Sequence, residues 1–390
     1  MLNFELPFRT KVLLWVLMVV GATTGAAGLL YAPERAWNNY LILVYYATSL
    51  GLGAGFFLAA QYVSSAGWSI AIRRIPEAIT SILPVAGIGA LGLFFGIHKL
   101  YEWSDNSLVA RDKILQGKSA WLNEPFFICR VTGYFILWIC LSRLIVRNSV
   151  RQDEDKDPVH TRRNVRNSVL FIILGIYTSC AASFDLIMSL QARWYSTVFG
   201  FQALAGAFLS GLAVITVFVI LLRKMGHEEL FKLEHLYDLG CLMMSFSVFW
   251  AYMWVSQHLL IWYSNIPDET SYYVLRHSGA WGFFSILNVL LNWLLPFLAL
   301  MPRENKRNEK ILLQSAIVIL MGHWLDVYLM VMPTKFRESP PFGLWELVPF
   351  VGTLALLFWV ICRSLGKRRL VPVGDPYLVE SLSKGGGHGS

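Results

Sequence analysis

Long apolar segments alternate with short polar loops along almost the whole chain, and each apolar segment is about as long as a bilayer is thick. In a helix, about 20 apolar residues cross the hydrocarbon core of a membrane. Ten such segments occur, at roughly 11–31, 40–63, 78–99, 124–146, 168–190, 197–222, 239–263, 280–301, 311–332 and 345–365. The pattern therefore predicts an all-α integral membrane protein with ten transmembrane helices. We expect one polytopic membrane domain over residues 1–366 and a basic, flexible tail over 367–390, which ends in GGGHGS.

The composition supports a membrane protein and argues against some kinds of site. Hydrophobic residues make up 56% of the chain and charged residues only 15%, whereas about a quarter of the residues in a soluble domain are charged. All five cysteines lie in apolar segments, and no CxxC or CxxCH motif occurs. We therefore expect no disulfide, no covalently attached haem and no cysteine-ligated iron–sulfur cluster in this chain. We also expect the first apolar segment to be retained as a helix rather than removed as a signal peptide.

The basic residues indicate how the chain is oriented. Ten spans return the chain to the side on which it starts, and the loops on that side carry most of the 33 lysines and arginines. Because basic loops stay in the cytoplasm, both termini are predicted to be cytoplasmic. The loops on the other side carry many tryptophans and tyrosines, as is typical of a membrane interface.

An internal repeat relates the two halves of the chain. The third span ends in GIHKLYEW and the seventh in SQHLLIWY, so that His98 and His258 take matching places. The fifth span contains SFDLIMSL and the ninth HWLDVYLMVM, so that Asp185 matches Asp326. The repeat predicts two four-helix bundles, formed by spans 2–5 (about 40–190) and 6–9 (about 197–332), with spans 1 and 10 flanking them. Because four spans separate equivalent helices, the repeat is parallel rather than inverted.

Polar residues inside the spans gather in the half of the membrane away from the termini. An uncompensated aspartate at the centre of a span is unfavourable by about 3 kcal/mol, so such residues need partners. Arg130 could neutralise Asp185 or Asp326, and His323 lies three residues before Asp326, so that the two share a helix face and can meet. The candidate proton-path or quinol-adjacent residues are Asp185, Arg130, His258, His323 and Asp326; His98, Gln257 and Asp238 are weaker candidates.

The residues alone leave several interpretations open. Buried Asp–Arg and Asp–His pairs often only hold helices together, and proton or quinol chemistry is the alternative. For His98, at the end of a span, we favour a structural role. Haem bound by two histidines needs facing imidazoles at one depth, which His98 and His258 could supply. No helix carries two histidines in a four-histidine array, so we expect no haem in this chain. A secondary transporter would also use intramembrane aspartates, but the repeats show no matched Gly/Pro interruptions.

Several stretches resemble one family, the ActF subunits of alternative complex III, within the broader NrfD/polysulfide-reductase group of membrane subunits. These stretches are 185–190 (DLIMSL), 194–200 (WYSTVFG), 235–240 (HLYDLG), 246–250 (FSVFW) and 257–270 (QHLLIWYSNIPDET). The block WYSNIPDET is the most specific of them. His258 stands where a tyrosine is expected after Gln257, which adds a titratable group at this position.

The resemblance implies a subunit of a quinol:cytochrome c oxidoreductase in the bacterial inner membrane. Such complexes oxidise quinol, commonly menaquinol, and pass electrons through periplasmic iron–sulfur and haem c subunits to cytochrome c or a terminal oxidase. A related ActC-like membrane subunit is the expected place of quinol oxidation. The present chain is then expected to carry no redox centre, to scaffold the complex and to offer a proton route. The segment from Trp262 to Thr270 becomes a periplasmic surface on which partner subunits dock.

Overall fold

The structure, a computed structural model, describes residues 5–383, and these residues form helices and no strand. Ten helical spans are long and apolar enough to cross a membrane. They are α1 (Phe8–Tyr31), α2 (Pro33–Val63), α3 (Arg74–Leu100), α4 (Glu124–Asp155), α5 (Val159–Gln191), α6 (Val198–Lys224), α7 (Leu233–Ser264), α8 (Gly279–Leu300), α9 (Glu309–Thr334) and α10 (Leu344–Leu365). The predicted all-α membrane fold with ten spans is confirmed.

The ten spans leave two loop-bearing faces. We call the face where α1 begins and α10 ends the terminal face, and the other the opposite face. Short helices on the terminal face are Gly67–Ser69, Asn305–Arg307 and Leu378–Ser383. Those on the opposite face are Glu102–Ser104, Asn106–Val109, Lys113–Lys118 and Pro267–His277. The last of these, Pro267–His277, is amphipathic and is called the surface helix below.

The spans pack as two four-helix bundles. In the first, α2 packs on α3, α3 on α4, α4 on α5 and α5 back on α2. In the second, α6 packs on α7, α7 on α8, α8 on α9 and α9 back on α6. The bundles meet through α2 and α6. α1 and α10 pack against each other and against α2. The arrangement predicted from the repeat is therefore confirmed, and α2 lies at the centre, buried along its whole apolar length.

Small residues allow the two bundles to approach closely. Lipid supplies no hydrophobic drive between helices, so small side chains are used where backbones must pack. A Cβ atom added to Gly53 of α2 would overlap the carbonyl oxygen of Ala207 in α6, and one added to Gly211 would overlap the Gly53 backbone. Both helices therefore have a glycine at the place where their backbones approach closely.

Replacing Gly53 by alanine is expected to lower the free energy of unfolding by about 1–3 kcal/mol, because the added methyl group forces the α2 and α6 backbones apart. Gly133→Ala in α4 is the matched control, since a Cβ atom there meets nothing within 4 Å. Thermal and denaturant-induced unfolding of the two purified variants compares them directly. Equal stability of both variants would contradict a tight glycine contact between the bundles.

Two helices extend further than the apolar pattern indicates. The apolar pattern ends the fourth segment at 146 and begins the fifth at 168, but α4 continues to Asp155 and α5 begins at Val159, leaving a short turn. Hydropathy marks where the hydrocarbon ends, whereas arginine, glutamine and glutamate continue a helix readily in water. Lys156 closes α4 in the left-handed conformation, with φ of 56°.

Residues 367–383 also differ from the expected flexible tail. Asp375 forms a buried ion pair with Arg73, and Ser381 accepts from the Ala71 N–H at 3.1 Å while donating to the Trp68 carbonyl at 2.7 Å. This part of the tail therefore packs across the start of α3. Hydropathy alone misses such contacts because the partners lie some 300 residues apart in sequence. The GGGHGS ending lies outside the described residues.

Candidate functional site

Asp185 and Arg130 form a buried ion pair in the first bundle. Asp185 lies near the opposite-face end of α5, and Arg130 lies two turns into α4, so the antiparallel helices bring them to one depth. The Arg130 Nε donates to Asp185 Oδ2 and Nη2 donates to Oδ1, both at 2.9 Å. This geometry is a bidentate, charge-assisted pair. Of the two partners considered for Arg130, the structure selects Asp185 and not Asp326.

The remaining hydrogen-bonding capacity of the Asp185 carboxylate is also used. The Trp121 indole N–H donates to Oδ1 and the Tyr134 hydroxyl to Oδ2, both at 3.0 Å. The Arg130 guanidinium lies over the rings of Trp121 and Phe126 at 4.2 and 4.3 Å and donates to the Trp121 carbonyl at 2.9 Å. The Asp185 carboxylate thus accepts four hydrogen bonds, and aromatic rings cover the Arg130 cation. This site is therefore a fully paired ion pair that holds α4 and α5 together.

Asp326 has a different environment in the second bundle. It is 3% exposed and lies in α9 at the place equivalent to Asp185. The Asn288 amide donates to Oδ1 at 2.8 Å, and the Trp250 indole donates to Oδ2 at 3.2 Å. No cation lies within ion-pair distance of Asp326 among residues 5–383. Both donors are neutral, so the carboxyl group can be protonated without leaving a buried charge unpaired.

A small polar cavity adjoins Asp326 on the side of the opposite face. Its volume of about 30 Å³ is enough for water but not for a larger molecule. The lining joins side chains of α6, α7, α8 and α9 with the surface helix: Gln202, Trp254, Tyr272, Tyr273, Arg276, His277, Ser285, Asn288, Asp326, Leu329 and Met330. The cavity thus places Asp326 and several hydrogen-bonding groups around one space that is large enough for water.

Arg276 is a site residue that the sequence interpretation missed, since it was counted only as a loop charge. It is 5% exposed and donates to the carbonyls of Leu329 and Met330 at 2.9 and 3.0 Å. Its guanidinium carbon lies 3.4 Å from the centre of the Tyr272 ring. Burial lowers the pKa of the Arg276 side chain from its usual value. The signal in the sequence is an arginine placed among aromatic residues immediately before a span.

The two bundles therefore use their loop-side arginines differently. Arg130 reaches Asp185 directly, whereas Arg276 is held by the carbonyl oxygens at the end of α9 and faces Asp326 only across the cavity. An arginine near a carboxylate still favours the charged carboxylate, but across water the attraction is weaker than in a bidentate pair. Asp326 is therefore held less strongly by a positive charge than Asp185 is.

His323 does not meet Asp326 through a hydrogen bond, although the two lie three residues apart. The His323 ring packs 5.5 Å from the Tyr46 ring of α2, and its Nδ1 lies 3.2 Å from a Cβ atom built on Gly206. Neither ring nitrogen has a hydrogen-bond partner in the described part of the chain. His323 points toward the α2–α6 contact while Asp326 points toward α7 and α8, so the expected His–Asp pair is not formed.

His258 lies in an aromatic cluster on the opposite-face side. Its ring stacks parallel to Trp254 at 5.7 Å, meets Tyr273 edge-on at 4.8 Å and lies 5.1 Å from the His277 ring. The pKa of His277 lies below its usual value, because its ring is partly removed from water and faces His258 and Arg276. Since Tyr273 and His277 also line the Asp326 cavity, the structure brings His258 beside that cavity rather than beside Asp185.

The three weaker candidates, Gln257, His98 and Asp238, lie in three different environments. Gln257 is buried, with both amide atoms unpartnered among residues 5–383, next to His258 along α7. His98 is largely exposed at the end of α3, 3.4 Å from Glu124, as a structural surface histidine would be. Asp238 lies at the start of α7 near the terminal face, about 30 Å from His258 at 1.5 Å of rise per residue. Asp238 therefore belongs to neither aspartate site.

Two stretches of the family resemblance meet on the opposite face. The Trp194 ring stacks on Tyr272 with 4.0 Å between centroids, and its indole N–H donates to the Glu269 carbonyl at 3.1 Å. The segment WYSTVFG thus packs against the surface helix, which begins at Pro267 within WYSNIPDET. This contact joins the loop between α5 and α6 to the surface helix, whose side chains line the Asp326 cavity.

No group of three His, Cys, Asp or Glu side chains placed to hold a metal ion occurs among residues 5–383. The expectation that the chain carries no redox centre stays a prediction. A comparison with protein-family models finds no match for this chain, and no curated protein matches it either.

Proposed function

We propose that this chain is a membrane subunit of a quinol-oxidising electron-transfer complex and offers a proton route through Asp326. The contrast between the two aspartates carries the proposal. Asp185 is held by an arginine and two further donors, whereas Asp326 has neutral donors and borders a cavity of water size. A relay group must be able to gain and lose a proton, and the neutral donors and the adjoining cavity around Asp326 suit both states.

The route needs only groups that are already in contact with the cavity. A proton held on the Asp326 carboxyl passes to cavity water, and from there to the His277 imidazole, which is exposed at the rim. Arg276 favours release of the proton because its positive charge stabilises the carboxylate left behind. Quinol oxidation releases protons along with electrons, so a route on this side suits a complex that discharges them at the opposite face.

The cavity is too small for quinol itself. About 30 Å³ accommodates water and excludes an aromatic ring with its substituents. Menaquinol or another quinol is therefore assigned to a neighbouring ActC-like membrane subunit, and the present chain acts as part of an oxidoreductase complex without binding the reacting molecule at this site.

The opposite face offers a surface for redox partners. Trp262, Tyr263 and Ile266 are exposed beside the surface helix, and Tyr263 is 92% exposed. Aromatic side chains presented on a rigid helix end are common anchors at protein interfaces. We assign this surface to the iron–sulfur and haem c subunits, which pass electrons on to cytochrome c or a terminal oxidase.

The charge distribution supports the placement in the cell. The terminal face carries the basic loops, so we place it in the cytoplasm of a bacterium, in the inner membrane, with both termini inside. The opposite face and the docking surface then lie in the periplasm, on the side where haem c and iron–sulfur partners of such complexes are found.

Affinity purification tests the assignment to a complex. The tagged chain, extracted in mild detergent, is expected to bring down a haem c subunit, seen by its absorbance, together with iron–sulfur protein. Tyr263→Ala should lower this recovery about tenfold or more if the residue is a central anchor. Tyr31→Ala is the matched control, because Tyr31 is 80% exposed on the same face but outside the docking surface. A lone homogeneous chain would contradict the proposal.

A secondary transporter is the second candidate, and the shape of α8 favours it. A π-helical turn at Leu290–Leu294 interrupts α8 just before Pro296, next to Asn288, which contacts Asp326. Interrupted helices beside a buried carboxylate are typical of ion-coupled transporters. Such a protein would purify alone and would move a substrate across vesicle membranes, which separates it from a complex subunit.

A further inference from the structure

A basic groove lies along α4 at the terminal face, far from both aspartates. Its volume is about 690 Å³. Four arginines line it together with an apolar wall: Arg143, Arg147, Arg151, Arg368, Cys140, Leu144, Val146 and Val150. The three arginines of α4 follow one another at intervals of four residues, so they project from one side of the helix.

The four guanidinium groups of the basic groove donate no hydrogen bond and form no ion pair within residues 5–383. The neighbouring Arg73 and Arg74, in contrast, are paired with Asp375 and with Glu77 and Asp153. Glu77, Asp153 and Asp375 are thus already paired with these two neighbours. A ligand for the basic groove has to supply negative charge from outside the chain.

The depth of the groove matches the surface of the bilayer. α4 begins at Glu124 near the opposite face, and about 20 residues of helix cross the hydrocarbon core, which brings the helix to the far boundary near Leu144. Arg143 and Arg147 therefore lie at the level of lipid phosphates, and Cys140 and Leu144 face the upper part of the acyl chains. Val146 and Val150 continue the apolar wall between the arginines, so charged and apolar side chains lie side by side in the groove.

We propose that the basic groove binds an anionic phospholipid from the leaflet at the terminal face. Guanidinium groups bind phosphate oxygens in a bidentate manner, and several of them around one groove favour a head group with net negative charge. Basic pockets between membrane helices are known to suit such head groups. The apolar wall beside the arginines suits the glycerol and acyl part, which a free phosphate ion lacks. The inference is independent of the proposed electron-transfer role.

The test compares lipid retention by matched charge variants. The full chain is reconstituted in phosphatidylcholine nanodiscs containing graded phosphatidylglycerol, released into detergent and analysed by native mass spectrometry. Arg143→Gln/Arg147→Gln removes two groove charges. Arg162→Gln/Arg166→Gln removes two exposed charges from the same face, at the start of α5 and outside the groove. Circular dichroism and unfolding curves establish that both variants are folded.

We expect the wild type and the α5 variant to retain phosphatidylglycerol in preference to phosphatidylcholine, and the groove variant to retain it about tenfold less. An equal loss in both variants would mean that the arginines act only through the overall charge of the face, and would overturn the proposal. Displacement of the lipid by an equal concentration of inorganic phosphate would overturn it too, because the site would then recognise phosphate without the lipid.

Discussion

Replacing Arg130 by methionine is expected to lower the free energy of unfolding by about 3–5 kcal/mol, the largest effect of any single substitution considered for this fold. The substitution leaves the Asp185 carboxylate buried without its bidentate cation. It also removes the guanidinium that Trp121 and Phe126 cover, so the loop over the first bundle loses an anchor. Denaturant-induced unfolding of the purified variant measures the change.

Arg193→Gln is the control for that measurement. Arg193 also pairs with an aspartate, Asp112 at 2.7 Å, but it is largely exposed, and exposed pairs contribute only about 0–1 kcal/mol. The double replacement Arg130→Met/Asp185→Leu should regain a large part of the lost stability, since it removes both buried charges together. If Arg130→Met lowered the free energy of unfolding no more than Arg193→Gln does, the stabilising role of the buried Arg130–Asp185 pair would be disproved.

If the chain belongs to the proposed quinol-oxidising complex, Asp326→Asn is expected to slow quinol oxidation about a hundredfold, because positioned proton-transfer groups contribute on the order of 10²–10⁴ in rate. The shape of the side chain is kept, and its carbonyl oxygen can still accept from Asn288 or Trp250, so the fold should be preserved. Turnover is measured per assembled complex, counted by its haem c. Asp326→Glu restores a titratable carboxyl group and should recover activity relative to Asp326→Asn. Equal, unimpaired turnover in Asp326→Asn would reduce Asp326 to packing.

The sequence predicts the architecture well because membranes restrict it so strongly. Hydropathy locates ten spans, and the matching positions of Asp185 and Asp326 indicate the two bundles that the structure contains. Depth also indicates that Arg130 pairs with Asp185 or Asp326, since a buried charge in the membrane needs a partner at its own level, and the structure selects Asp185. Each of these inferences depends only on where along the membrane normal a residue lies.

The direction in which a side chain points around its helix is much harder to read from the sequence. His323 and Asp326 share a broad face, yet α9 is packed on α2, α6 and α8, and the two side chains enter different contacts. Arg276 was missed for a related reason, because its partners Leu329 and Met330 lie more than 50 residues away. Contacts of this kind arise from the assembled bundle and leave no local pattern.

The two aspartates also show the limit of the repeat as a guide to function. Equivalent positions suggest equivalent roles, but Asp185 is bound by a cation and Asp326 adjoins a cavity of water size. The repeat predicts the arrangement of the helices, whereas the loops that follow α3 and α7 differ in structure. One brings Trp121 onto a carboxylate, and the other forms the surface helix that holds Arg276 away from it.

The most direct test of the account compares the turnover and proton release of the complex in two variants, Asp326→Asn and Arg130→Met/Asp185→Leu, both reconstituted in vesicles and normalised to assembled haem c. The account predicts that Asp326→Asn slows quinol oxidation and proton release together, whereas the double variant works at nearly the wild-type rate once folded. Loss of activity in the double variant with normal turnover in Asp326→Asn would contradict it.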